Sequence, residues 1–150
     1  MTENEALNRM AAYCSGAEHC RAEVHEKLLR QELDGNAIER ILNRLEKEKF
    51  IDSERYTRSF VNDKRRFGKW GKLKIKQALY FKQISPEVVN RGLEEIDKEE
   101  YLSVLQDLLE KKKKTVRAKD GYELKGKLIR FALGKGFEME DIVNSISKCN

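Results

Sequence analysis

A stretch near the middle of the chain decides the fold. It covers residues 72–96 and reads KLKIKQALYFKQISPEVVNRGLEEI. Its apolar residues recur three, four or five positions apart, which is the spacing of a helix face and not the alternation of a strand. Ser85 supplies an oxygen that can cap a helix, and Pro86 follows at the first helical position, where a missing N–H costs nothing. The stretch therefore predicts two helices joined by a turn that Ile84 staples.

The same pattern occurs three times along the chain. Seven positions of the stretch have counterparts 51 residues earlier, and five have counterparts 53 residues later. The three sets are Val24, Leu28, Leu33, Asp34, Ile38, Leu42 and Leu45; Ile75, Leu79, Ile84, Ser85, Val89, Leu93 and Ile96; and Leu128, Ala132, Phe137, Ile142 and Ile146. A period near 50 residues with helical spacing predicts tandem helical repeats, each too small to bury its apolar face alone.

Each repeat has room for one more helix ahead of this pair, so we predict nine helices in three groups of three. The first and middle helices of the groups are predicted over Glu5 to Cys14 and Arg21 to Glu32, Ser53 to Phe67 and Lys72 to Gln83, and Lys98 to Lys114 and Gly126 to Lys135. The loops between them are Ser15 to Cys20, Gly68 to Gly71 and Val116 to Gly121.

The chain is therefore predicted to be all-α, with three tandem three-helix repeats over residues 1–52, 53–97 and 98–150. Charged residues make up 38% of the 150 and apolar residues 39%, which is more charge and less apolar material than in an average globular domain. A small apolar content favours a large surface over a spherical core. We expect the repeats to form an elongated, curved array.

Composition also indicates a cytoplasmic protein with no membrane association. No apolar run approaches the length of a membrane span, and the opening residues Met1 to Glu5 lack the features of a signal peptide. Three widely spaced cysteines do not form a disulfide framework, which is consistent with a reducing compartment.

The net charge of +5 hides an alternation in sign along the chain. Residues 1–60 carry −2, residues 61–83 carry +7, residues 84–110 carry −6 and residues 111–150 carry +6. Such segregation fits a polyanion or a large partner of mixed charge, because local fields persist over about a Debye length. The alternative is a set of helix faces that meet only solvent.

Two basic clusters are the candidate contact surfaces. The first surrounds the loop at residues 68–71 and comprises Lys64, Arg65, Arg66, Lys69, Trp70, Lys72, Lys74 and Lys76. The second comprises Lys111, Lys112, Lys113, Lys114 and Arg117. Trp70 has two interpretations: an aromatic among cations can stack on a base or anchor a protein interface, or it can close the core. The second cluster lacks aromatic residues and is interpreted as the end of a helix, where positive charge offsets the dipole, or as a surface that steers the chain toward DNA.

The other polar patterns carry little chemistry. Four residues form C-x4-H-C-x4-H, namely Cys14, His19, Cys20 and His25. Structural zinc sites usually pair two cysteines and two histidines at shorter internal spacings, so we expect no metal site and no cofactor. The sequence has no glycine-rich phosphate loop and no nucleophile motif, and we predict that the chain is not an enzyme.

Several segments together resemble the RecX regulators of the bacterial recombinase RecA. They are the run LLRQELDGNAIERILNRLEKEKFID at residues 28–52, the SERYTRSFVNDKRR that follows it, GKLKIKQALYFKQISPEVVNRGL at residues 71–93, and the closing FALGKGFEMEDIVNSI. The order and spacing of these segments are more specific than any one of them. Cys20 stands where that family commonly has a serine cap, so we expect the second helix to begin irregularly or to shift its start toward Ser15 and Glu18.

The resemblance implies a regulator that binds the RecA filament on DNA. Such a protein inhibits or modulates the ATPase, strand-exchange and co-protease activities of RecA in DNA repair, recombination and the SOS response. The implied partners are the RecA filament and single- or double-stranded DNA, and the implied state is a monomer. The alternative function is a helical module that binds DNA directly, without RecA.

Overall fold

The computed structural model describes residues 1–148, and the regular secondary structure of that range consists of nine α-helices. The helices are α1 (Glu3–Gly16), α2 (Arg21–Leu29), α3 (Gly35–Lys47), α4 (Ser53–Arg66), α5 (Lys72–Phe81), α6 (Pro86–Glu94), α7 (Lys98–Thr115), α8 (Gly121–Lys135) and α9 (Met139–Lys148). The predicted all-α fold with three groups of three helices is confirmed.

Side-chain caps explain where most of these helices begin. The Asp34 carboxylate accepts from the N–H of Ala37 at 2.8 Å and starts α3, and the Ser85 hydroxyl lies 3.4 Å from the N–H of Val88. Pro86 is the first residue of α6, as predicted. Each cap satisfies a backbone donor that has no partner within its own helix.

Two compact units divide the chain, and the middle group of helices contributes to both. Unit 1 consists of Met1–Phe60 and Leu79–Val89, and unit 2 consists of Val61–Ala78 and the described residues from Asn90 onward. Each helix from α4 to α6 therefore has one part in unit 1 and one part in unit 2.

Unit 1 encloses an apolar core in which α3 packs on α1 and α2. The fully buried members of this core include Val24, Leu28, Ile41, Leu42 and Leu45. In unit 2, α7, α8 and α9 pack on one another around Leu105, Leu109, Leu128, Phe137 and Ile142. The apolar positions of the predicted repeat are all buried except Leu33 and Ile146, which are half-buried, so burial follows the repeat that the sequence predicted.

Helix α8 begins five residues earlier than predicted, at Gly121 instead of Gly126. Asp120 caps it by accepting from the N–H of Glu123 at 2.8 Å. The sequence D-x-x-E at this point is a capping signal, and the prediction missed it because Gly126 resembled a helix boundary.

Cys20 does not disturb the start of α2, so the expected irregular start is wrong. The helix begins at Arg21, and the N–H of Cys20 donates to Glu23 Oε1 at 3.0 Å. The thiol is 1% exposed and lies 3.9 Å from the carbonyl oxygen of Lys82. Burial raises the pKa of Glu23, but bonds from the Cys20 N–H and the Lys82 ammonium outweigh it and hold this pKa below its ordinary value. Packing and the Glu23 side chain thus fix a turn that lacks a hydroxyl cap.

None of the helices in the described part of the chain has the length and apolar character that crossing a bilayer would require.

Candidate interface around Trp70

The loop between α4 and α5 folds back on the end of α4. The N–H of Trp70 donates to the carbonyl oxygen of Lys64 at 3.1 Å, and Lys69 adopts a left-handed conformation with φ of 54°. A Cβ on Gly68 would lie 2.9 Å from both the Lys64 carbonyl oxygen and the Trp70 ring. The loop therefore needs glycine at position 68 to bring the indole against its own helix end.

Two lysine ammonium groups flank the Trp70 ring. Lys64 Nζ lies 4.8 Å and Lys74 Nζ 4.6 Å from the ring, which is within the range of cation–π attraction. Trp70 is half-buried, and the loop holds its orientation. The role of Trp70 as a contact with a partner stays a prediction.

Backbone contacts with the end of α8 fix the other side of the loop. The N–H of Gly71 donates to the Lys135 carbonyl at 2.7 Å, and the N–H of Leu73 donates to the Gly136 carbonyl at 2.9 Å. A Cβ on Gly71 would lie 2.3 Å from the carbonyl carbon of Gly136, and one on Gly136 would lie 2.4 Å from Lys74 Cβ. The close approach of the loop to the end of α8 therefore requires glycine at both position 71 and position 136.

Tyr101 of α7 anchors the start of α5. Its hydroxyl accepts from the N–H of Lys72 at 2.9 Å, and its ring packs against Phe137 with centroids 5.2 Å apart. Burial raises the pKa of Tyr101 to about 12, and the bond from Lys72 opposes that rise. The Lys72 ammonium lies 4.9 Å from the same ring, so this lysine turns toward α7 and not toward Trp70.

Arg65 is committed to an internal ion pair. Its Nη1 lies 2.8 Å from Glu100 Oε1, and only 15% of its side chain is exposed. Its neighbour Arg66 is exposed, as is Lys69. Glu100 belongs to the segment of residues 84–110 that carries −6, but the sequence gave no sign that this segment supplies a partner to Arg65, because the two residues are 35 positions apart.

The structure thus brings five of the eight residues of the first cluster around the loop. We call Lys64, Arg66, Lys69, Trp70 and Lys74 the Trp70 surface. Of the other three, Arg65 pairs with Glu100, Lys72 lies over Tyr101, and Lys76 is half-buried on α5.

The second basic cluster lies at the C-terminal end of α7, as the sequence predicted. Lys112, Lys113 and Lys114 occupy the last turn, and α7 ends at Thr115, whose hydroxyl donates to the Lys112 carbonyl at 3.0 Å. Lys112 Nζ lies 5.0 Å from the ring of Phe131, an aromatic contact that the sequence did not indicate. Lys111 and Arg117 are exposed.

The cysteine and histidine pattern has other roles than metal binding. Within residues 1–148 no group of cysteine, histidine and carboxylate side chains is placed to hold a metal ion. His19 stacks on Tyr13 with ring centroids 3.7 Å apart, and Cys14 and Cys20 are buried free thiols. Burial raises the pKa of both thiols, which disfavours their thiolate forms. Cys149 lies outside the described residues.

Family models match the chain in three consecutive segments. Residues 6–45 match the first three-helix domain of RecX, residues 52–93 the second and residues 99–144 the third. These matches show that the three groups of helices are three RecX domains.

Curated relatives named Regulatory protein RecX match most of the chain. The one from Clostridium beijerinckii is 35% identical over 128 residues, covering 84% of this chain and 59% of its own length. The one from Clostridioides difficile is 29% identical over 146 residues, covering 97% of this chain and 66% of its own length. The chain thus spans about three fifths of the length of its relatives from Clostridium beijerinckii and Clostridium tetani.

A crystal structure of RecX from Lactobacillus salivarius superposes with a TM-score of 0.89 at 22% identity, covering 98% of this chain and 96% of that one. A second crystal structure, of a regulatory protein RecX, gives the same TM-score at 21% identity. At this identity the likeness shows the shared fold.

Proposed function

Because the chain belongs to the RecX family, we propose that it is a regulatory protein that binds the filament of the RecA recombinase on DNA and inhibits or modulates it. The affected activities are ATP hydrolysis, strand exchange and co-protease activity. The observation that carries the proposal is the match of all three helix groups to consecutive RecX domains. We further propose that the chain acts by binding and not by catalysis, as the name of its curated relatives suggests.

The Trp70 surface is our proposed contact with the filament. Several features support it: a half-buried indole with two ammonium groups near its ring, two further exposed cations at the end of α4 and in the loop, and a backbone fixed by hydrogen bonds. Interface hot spots are enriched in tryptophan and arginine, and a preorganised loop loses little entropy on binding. Inhibition follows because a ligand that favours one filament geometry disfavours the changes that each ATP cycle demands. The second basic cluster, from Lys111 to Arg117, is proposed as an auxiliary contact that steers the chain toward DNA.

The test is ATP hydrolysis by RecA on single-stranded DNA, titrated with this protein. We expect the rate to fall as the protein is added, and Trp70→Ala to need about tenfold more protein for half-inhibition, since hot-spot truncations cost more than about 1 kcal/mol. Trp70→Phe should retain part of the effect, because it keeps an aromatic ring between the ammonium groups. An unchanged rate at saturating protein contradicts the proposal.

A second candidate function is direct DNA binding, favoured by the same indole. An aromatic ring flanked by lysines can stack on a base while its neighbours contact phosphates. Measuring the binding of this protein to labelled single-stranded DNA in the absence of RecA distinguishes direct DNA binding from binding to the RecA filament. If DNA is the partner, the logarithm of the affinity falls with the logarithm of the salt concentration with a slope of about −0.7 per phosphate contact. A mixed-charge protein interface responds less and requires RecA.

We propose the domain limits 1–52, 53–97 and 98–150, a monomeric state and a cytoplasmic location. Limited proteolysis that cuts near residues 52 and 97 supports the limits, and sedimentation equilibrium tests the monomer. Fractionation of the producing cells tests the location.

A further inference from the structure

The early start of α8 exposes an apolar stripe. Tyr122, Gly126, Ile129 and Leu133 are spaced four, three and four residues apart, so they share one face of the helix. Tyr122 is 90% exposed and Leu133 is 43% exposed, while Gly126 and Ile129 are half-buried. The core face of α8 is a different one, carried by the buried Leu128 and Ala132.

A groove of about 580 Å³ lies along the first part of this stripe and ends before Leu133. Its lining includes Tyr122, Gly126 and Ile129 with the side chains of Lys119, Lys125 and Arg130, and we call it the α8 groove. A Cβ at position 126 would lie 3.5 Å from a guanidinium nitrogen of Arg130 and would meet nothing else nearby. The missing side chain therefore deepens the groove and does not relieve a clash.

The acidic residues at the groove are satisfied within the chain, and the basic ones are not. Asp120 accepts from the N–H of Glu123, and the Glu123 carboxylate pairs with Lys127 at 3.1 Å. Lys119, Lys125 and Arg130 have no ion pair with any of residues 1–148. An apolar floor thus lies between cations that have no counter-charge among residues 1–148, which is complementary to a partner with apolar and acidic side chains.

We propose that the α8 groove docks an amphipathic acidic helix of a partner protein, with its apolar side chains on the stripe and its carboxylates on Lys119, Lys125 and Arg130. The stripe spans the twelve residues from Tyr122 to Leu133, or about 16 Å of helix axis, which matches about three turns of a docked helix. Apolar residues at this spacing are the pattern by which helices pack on one another or enter grooves. This site is separate from the Trp70 surface and does not depend on the RecA proposal.

Single-stranded nucleic acid is the competing occupant. A groove that binds single-stranded nucleic acid needs several aromatic rings on which successive bases can stack. The lining of the α8 groove contains one aromatic residue, Tyr122. The stripe continues with the aliphatic Ile129 and Leu133, which a phosphate chain would leave uncovered. The apolar stripe therefore favours a peptide.

The experiment measures fluorescence anisotropy of a labelled peptide of about four helical turns that has leucines four, three and four residues apart and glutamates elsewhere. A peptide with lysine in place of every glutamate, one with serine in place of every leucine, and labelled oligothymidylate are the comparison probes. The variants of the full chain are Tyr122→Ser and the double variant Lys125→Glu with Arg130→Glu. The matched control is Lys47→Glu with Arg58→Glu, two exposed cations of α3 and α4.

We expect saturable binding of the glutamate–leucine peptide alone, weakened about fivefold or more by Tyr122→Ser and about tenfold or more by the double charge reversal, with the control unchanged. Circular dichroism should show equal helicity in all variants. Three results overturn the proposal: no saturable binding up to about 1 mM, equal affinity in the variants, or binding of oligothymidylate in preference to the peptide. Concentration-dependent dimerisation that Tyr122→Ser abolishes also overturns it, since the occupant would then be a second copy of the chain.

Discussion

Two glycines decide how closely the start of α5 approaches the end of α8. We predict that Gly71→Ala lowers the free energy of unfolding by about 2 kcal/mol or more, because the new Cβ would lie 2.3 Å from backbone atoms that cannot move alone. Urea denaturation followed by far-UV circular dichroism measures this.

Gly134→Ala is the matched control for that change. Gly134 lies in α8 and a Cβ there would meet nothing within 4 Å, so alanine should raise the free energy of unfolding by about 0.5–1 kcal/mol through helix propensity. A Gly71→Ala variant as stable as the unmodified chain would show that the two backbones do not touch.

Asp52 makes the start of α4 sensitive to acid. Its carboxylate accepts from the N–H groups of Arg55 and Glu54 at 3.1 and 3.0 Å, and chiefly the bond from Arg55 holds the pKa of Asp52 below its ordinary value of 3.8. The stabilisation is therefore present above about pH 4 and is lost as the pH falls through the lower pKa of the folded state.

We predict that Asp52→Asn is nearly as stable as the unmodified chain at neutral pH and loses less stability on acidification, since asparagine caps without ionising. Asp52→Ala should cost about 1 kcal/mol at neutral pH. Urea titrations at several pH values check both, and parallel pH profiles for the chain and its asparagine variant would contradict the assignment.

Single residues differ in how far sequence predicts them. Asp34 and Ser85 could be identified as caps because a cap acts within four residues of itself. The contact of Gly71 with Gly136 and the pair of Arg65 with Glu100 join distant positions, so no local pattern contains them.

At the scale of the element, the start of α5 depends on one phenol of α7. Tyr101→Phe removes the hydroxyl that accepts from the Lys72 N–H, and we predict a loss of about 1 kcal/mol at neutral pH. Because the folded-state pKa is raised from 10.0 to about 12, the stabilisation by Tyr101 is complete below about pH 10 and is lost as the pH rises toward 12. Urea titrations at rising pH should show a shallower decline for Tyr101→Phe.

The repeat predicted the elements well but not their outward faces. Leu29, Tyr80 and Leu133 occupy equivalent positions of α2, α5 and α8, and all three are exposed, at 60%, 42% and 43%. The offsets of 51 and 53 residues align these three residues. An apolar residue at helical spacing can lie in a core or on an exposed helix face, and the sequence pattern is the same in both cases. Only the packing of the neighbouring helices distinguishes the two cases.

At the scale of the whole molecule, two adjacent arginines should have different functions. We predict that Arg66→Glu weakens inhibition of RecA ATP hydrolysis with unchanged stability, because Arg66 is exposed on the Trp70 surface. Arg65→Glu should instead lower the free energy of unfolding, because it places a second carboxylate beside Glu100.

Parallel ATPase and denaturation measurements on both variants check this prediction. The reverse result, with Arg65→Glu stable and Arg66→Glu unfolded, would exclude the proposed division between structural and contact residues.

Charge counting located the basic region at residues 61–83. It could not show which of these cations pair within the chain and which form the contact surface. The division depends on which cations find partners in unit 2, such as Arg65 with Glu100 and Lys72 with Tyr101. Sequence therefore predicted the candidate surface as a region, and folding reduced it to the residues around Trp70.

The meeting of Gly71 with Gly136 also bears on how this molecule can evolve. The hydrogen bonds that join the start of α5 to the end of α8 are made by main-chain groups, so they do not depend on which side chains these residues carry. Neighbouring positions can therefore change while this junction persists. As long as both positions keep glycine, the geometry of the junction can persist while the rest of the sequence diverges, and the gain of a single methyl group at either would end that tolerance.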